Sequence, residues 1–205
     1  MRLTALLIVL ATALVATQTA LDPDSHARLP YLQSKDMSDA DQKIFDDLPG
    51  RGKDDVLRGP LAFAAYNPGA AKALFDLHNA AVAGSLDAHV RELAIMVACR
   101  ETSYNLEWNG HEATALKNGV DAKTLDVIRK RAALDNLDYK DAAVIRFGRQ
   151  MFGDKKVDAT TFARIVELYG RRGAMDMVAV MNTYAVSGFY AIAVDEQPAP
   201  GKSPL

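Results

Sequence analysis

A single cysteine, Cys99, stands in 205 residues, which excludes an intramolecular disulfide, a resolving thiol pair and a cysteine-rich zinc site. It follows the run Ile95-Met96-Val97-Ala98, so a buried apolar thiol suits it better than a redox centre. No glycine-rich phosphate loop is present, and no alternating run that would make a half-buried strand. Clustered positive charge is missing as well. The net charge is -2, and the short groups Arg129-Lys130-Arg131 and Arg171-Arg172 read as solvated helix ends, which argues against a nucleic-acid partner. One apolar run, Leu3 to Val15, follows Arg2 and precedes small residues at Ala16 and Ala20, too short to span a bilayer comfortably and laid out like a secretory signal peptide. Residues 1–20 are therefore expected to be a signal peptide, with an uncleaved anchor as the rival reading. The mature chain is expected to be periplasmic or secreted, with no stable membrane span after processing.

About half of the residues are hydrophobic and few are aromatic, the composition of one soluble globular domain. Their spacing is helical throughout, so the fold class is all-α. Residues 21–60 hold one helix, with Ser38 as its cap and Ile44, Phe45 and Leu48 as its apolar edge, and then a loop from Pro49-Gly50 to Gly59-Pro60 that either connects or lies over a site. Residues 61–196 form the main helical domain. Asn67 caps a helix begun by Pro68, Asp87 starts a second, and Asp121, Asp138 and Asp158 cap three more. A break at Gly170 to Gly173 precedes a last helix, Ala174 to about Val194, apolar nearly all round and expected to be a central core helix that also meets another subunit. The tail, 197–205, has three prolines and is expected to be disordered.

Chemistry concentrates between Arg91 and Val120. A helix ending near Arg100, a break at Glu101-Thr102-Ser103 and a second helix to Asn118 put Glu107 and His111 one turn apart on one face, with Tyr104 joining from the first turn. A carboxylate beside an imidazole raises the imidazole pKa, so such a pair can pass a proton near neutral pH. Glu107 and His111, with Glu92, could also offer three ligands to a metal, but the companion that would complete a site is not visible, and none is expected. His78 lies on the apolar side of its helix, as either a core histidine or a lining residue.

The run Arg91-Glu92-Leu93-Ala94-Ile95, then Tyr104-x-x-Glu107-Trp108-x-x-His111, then Gly119-Val120, resembles the carboxymuconolactone decarboxylase family, which includes the alkylhydroperoxidase D-like proteins. The resemblance implies an alkylhydroperoxidase D-like helical bundle that assembles as a homo-oligomer, trimer or hexamer. In the peroxidase branch a Cys-x-x-Cys pair would fall on Tyr104 and Glu107, which supply no sulfur, so thiol peroxidase chemistry is disfavoured. The decarboxylase branch uses a histidine and glutamates. It implies cofactor-free acid-base decarboxylation or isomerisation of a small unsaturated acid or lactone, with His111, Glu107, Glu92 and Tyr104 catalytic. Trp108, His78 and Arg91 are the substrate-binding candidates, Arg91 as the holder of a substrate carboxylate. The alternatives are a non-catalytic ligand-binding or scaffold member of the family, and a peroxide-handling protein without the thiol pair.

Overall fold

A computed structural model describes residues 20–198, 201 and 205. All but the last residue of the expected signal peptide, 1–20, lies outside the described residues, and most of the tail expected at 197–205 does too, residues 199–200 and 202–204. Seven α-helices and no strands occur among the described residues, which is the all-α, alkylhydroperoxidase D-like architecture. They are α1 (Asp39–Asp46), α2 (Pro68–Val82), α3 (Ala88–Glu101), α4 (Asn105–Lys117), α5 (Ala122–Lys130), α6 (Tyr139–Arg149) and α7 (Ala159–Ala193).

The starts follow the caps written in the chain. Side chains of Ser38, Asn67, Asp87, Asp121, Asp138 and Asp158 each accept a backbone N–H that the first helical turn would otherwise leave without a partner. The stretch from Ala159 to Ala193 is broken at Gly170, whose φ of 71° and ψ of 172° lie outside helical space and suit a residue without a Cβ.

The centre of the bundle is α3, not the last helix. From Leu93 to Cys99 every residue is essentially fully buried, and α3 packs against α4, α5, α6 and α7. Wrapping on all sides explains why its apolar residues run on without a polar stripe. The second half of α7 is amphipathic in effect: Met177, Val180 and Met181 are buried in the core cluster that α3 runs through, while Met175, Phe189 and Ile192 stay exposed. No helix among the described residues is long and apolar enough to cross a membrane.

Residues 20–67 form a second layer over one side of this bundle. Phe45, Leu48, Leu57 and Leu61 pack with Leu74 of α2 in a separate small core, and Arg28 donates its backbone N–H to the Val194 carbonyl just past the end of α7. The loop of residues 47–61 is thus pinned at both edges. It is held above the helices rather than trailing from them.

Candidate functional site

Two helices meeting at a tight turn set the site. At the end of α3, Thr102 donates its hydroxyl to the Ala98 carbonyl, and Ser103 takes a positive φ of 53° to reverse the chain into α4. Glu92 on α3 and His111 on α4 consequently face each other across the pair. The His111 Nδ1 lies 2.8 Å from Glu92 Oε2. On the other side of the ring, Nε2 lies 3.3 Å from Glu107 Oε2, one turn back on α4.

A third element completes the surround. The Tyr184 hydroxyl of α7 lies 3.3 Å from His111 Nε2, and its ring meets the imidazole edge to face with centroids 5.1 Å apart. Tyr184 comes this close because Gly188, one turn later, lets α7 settle against the turn. A Cβ at Gly188 would come within 2.7 Å of the Thr102 hydroxyl oxygen.

Burial and charge act on the imidazole in opposite directions. Desolvation lowers the His111 pKa, and hydrogen bonds and charge from Glu107 and then Glu92 more than reverse this, carrying it from 6.5 to about 9. At neutral pH the ring is an imidazolium between two carboxylates. Its Nδ1–H donates to Glu92 and its Nε2–H faces Glu107 and the Tyr184 oxygen; once deprotonated at Nε2, it can accept from the Tyr184 hydroxyl instead. Burial raises the Tyr184 pKa, helped by the charge of Glu107, so that hydroxyl stays a donor. His78 has its pKa lowered by burial, and its ring lies 5.9 Å from that of Tyr184.

His111 opens onto a cavity of about 400 Å³. Glu107, His78, Leu74 and Phe75 form one wall, Thr183, Tyr184 and Ser187 of α7 another, and Pro49, Gly50, Arg58, Pro60 and Leu61 the roof. The 47–61 loop therefore covers the site as well as connecting. The volume lies toward the small end of the range of ligand-binding clefts.

Of the residues singled out from the sequence, the structure brings together Glu92, Glu107, His111 and His78. It places three elsewhere. Tyr104 is the residue before α4, at φ -86° and ψ 88°, so it does not share the helical face of Glu107 and His111 and instead borders a hollow with Ala191 and Glu196. Trp108 follows Glu107 by one residue, about 100° around the helix, and is buried in the core with the Arg129 guanidinium 5.0 Å from its ring. Arg91 is half-buried on α3 and does not line the cavity. The arginine that lines the cavity is Arg58. Neither Tyr184 nor Arg58 stands out in the sequence, because neither lies near the motif: one is among the apolar residues of α7, the other in a charged loop. His111, Glu107 and Glu92 are not arranged with the geometry of a metal site.

Comparison with known proteins agrees with this architecture. Residues 68–149 match the Carboxymuconolactone decarboxylase family. No curated protein matches the sequence significantly. Among solved structures, a cysteine-to-alanine variant of the debrominase Bmp8 in complex with 2,3,4-tribromopyrrole is similar, with a TM-score of 0.61 and 15% identity over 83% of this chain and 90% of that one. The alkylhydroperoxidase AhpD core of an uncharacterized peroxidase-related protein from Ralstonia eutropha JMP134 is similar at a TM-score of 0.59 and 15% identity, over 88% of this chain and 98% of that one.

Proposed function

Residues 68–149 belong to the carboxymuconolactone decarboxylase family, and from that premise we propose that the chain is a cofactor-free acid-base enzyme that decarboxylates or isomerises a small unsaturated acid or lactone. The observation that carries this reading is the imidazole of His111, held at one nitrogen by Glu92 and at the other by Glu107 where the ring meets a mostly apolar cavity. Glu92 is buried and lies behind the ring, so it orients the imidazole and favours its charged form. His111 is the acid.

In a decarboxylation the bond to the carboxylate carbon breaks and carbon dioxide leaves. The electron pair moves into the conjugated carbonyl, and the imidazolium then gives its Nε2 proton to the resulting carbanion carbon. In an isomerisation, Glu107 removes a proton from the carbon next to the carbonyl and His111 returns one at the far end of the double bond. Either way the negative charge develops on the carbonyl oxygen, where the Tyr184 hydroxyl is a suitable donor. His78, which burial keeps neutral, lines the same wall as a ligand contact.

Thiol chemistry has less support. Cys99 is fully buried in the core and desolvation raises its pKa, so a reactive thiolate is disfavoured. The test is to incubate the protein with a panel of unsaturated lactone acids and with organic hydroperoxides, following ultraviolet absorbance and carbon dioxide release. Turnover of a lactone acid that disappears in His111→Ala and persists in Cys99→Ser supports the reading; turnover unchanged in both His111→Ala and Glu107→Gln rejects it. Export and self-association belong to the same reading, and are checked by sequencing the N-terminus of the exported chain and by light scattering.

A further inference from the structure

The roof of the cavity lies outside residues 68–149, the stretch that matches the family. Pro49, Gly50, Arg58, Pro60 and Leu61 all come from the preceding segment, so part of the ligand's surroundings is supplied by the N-terminal layer. Among the residues lining the cavity, Arg58 is the only arginine or lysine. Resting on the acid-base reading above, we propose that Arg58 determines substrate specificity by binding one carboxylate of the substrate at the roof, leaving the opposite end of the molecule to His111.

The guanidinium has a built seat. It lies 5.6 Å from the centre of the Tyr31 ring, and Tyr31 stacks on Phe63 at 5.8 Å. That aromatic pair packs with Ala27 and Val194, so the position of Arg58 is tied to the C-terminal end of α7. A planar cation resting on a ring keeps its donors in a fixed plane, the arrangement that binds a carboxylate through two parallel hydrogen bonds.

The donors are at present occupied by exchangeable partners. Arg58 Nη1 lies 2.8 and 3.1 Å from the two carboxylate oxygens of Asp54, and Nη2 lies 3.2 Å from Asp24 Oδ2. Both aspartates are more than half exposed, and solvent-exposed ion pairs of this kind contribute little. An incoming carboxylate therefore replaces one of them at small cost. Charge makes the replacement worthwhile: with His111 protonated, Glu92 and Glu107 leave the inner end of the site at one net negative charge, which would repel an anion without a cation at the roof.

The experiment is a calorimetric titration of the full chain with a butenolide acetate, a five-membered unsaturated lactone bearing one carboxylate, and with its neutral methyl ester. Arg58→Gln should weaken binding of the acid by about 10- to 100-fold and leave the ester unchanged. Asp54→Asn, which frees the guanidinium, should tighten the acid by roughly threefold. Tyr31→Leu should weaken the acid less than Arg58→Gln does. Unfolding by circular dichroism confirms that each variant is folded, and Asp54→Asn keeps the test valid if Arg58→Gln does not fold. The proposal is overturned if wild type binds acid and ester equally, takes neither, or binds the acid as well after Arg58→Gln. Because binding is read without turnover, acid binding that depends on Arg58 in a chain that never turns over would sink the acid-base reading and leave Arg58 in place.

Discussion

Two histidines of this molecule each touch a carboxylate at 2.8 Å, and only one of them borders the mostly apolar cavity beneath the 47–61 loop. His111 meets Glu92, and His89, three residues before Glu92 on the same helix, meets Asp141 of α6. The difference lies on the other side of each ring. His111 offers Nε2 to Glu107, to the Tyr184 hydroxyl and to the cavity, whereas the Nδ1 of His89 faces the turn at Gly119. The hollow beside His89 is more polar, and three of its acids are already used. Asp87, Asp121 and Asp138 accept the backbone N–H groups that start α3, α5 and α6. A histidine on a carboxylate is thus a brace in one place and, on the function proposed above, a proton device in the other; the second nitrogen and what it faces decide which.

The largest way to break this comparison is His111→Ala, expected to lower turnover of a lactone acid by about 100- to 10,000-fold, as loss of a general acid does. Glu107→Gln should cost about 10- to 100-fold and lower the His111 pKa, because it removes one of the charges that hold the proton. Ring-proton NMR reads that shift directly. In wild type the rate should be flat through neutrality and fall tenfold per pH unit above about 9, where the imidazolium is lost. The same proton stabilises the fold. Because the folded pKa, about 9, lies above the ordinary 6.5, the contribution is fully present below pH 6.5 and is lost as pH rises through 9. It amounts to at most about 3 kcal/mol, and in His111→Ala this pH dependence of the melting temperature should vanish. A rate that stays flat past pH 10 would remove the imidazolium from the mechanism. Tyr184→Phe should cost about fivefold in kcat with little change in KM, the loss of one hydrogen bond that matters most once charge has developed.

What could be read from the chain beforehand divides along the same line. The helices and their aspartate caps were legible because a cap is a local device: one side chain answering an N–H two or three residues away. Glu107 and His111 were legible for the same reason, being one turn apart. Glu92 needed the family resemblance, since nothing in its own helix distinguishes a buried glutamate from an exposed one. Tyr104 shows the limit of spacing: it stands at i-3 from Glu107 in number, but its backbone is not yet helical, so the face it was assigned does not exist at that residue. Tyr184 and Arg58 were beyond local reading. Each reaches the cavity through packing across the fold, α7 onto the α3–α4 turn through Gly188, and the roof loop onto the end of α7 through Tyr31 and Phe63.

The smallest expected effect on turnover sharpens the comparison from its other side. Asp141 is buried and bridges α6 to α3 through His89, so Asp141→Asn should leave the rate within about twofold of wild type while still weakening the fold. Loss of one charged hydrogen bond in a partly buried setting costs about 1 to 3 kcal/mol, or several degrees of melting temperature for a chain of this size. His89→Ala alone should cost more than Asp141→Asn, since it leaves the carboxylate without its partner, and the double variant should cost less than the two single losses added together. Urea denaturation of the three variants alongside initial rates separates the outcomes. A drop in rate that exceeds twofold at equal folded fraction would give His89 a part in the chemistry, and the distinction drawn between the two rings would then fail.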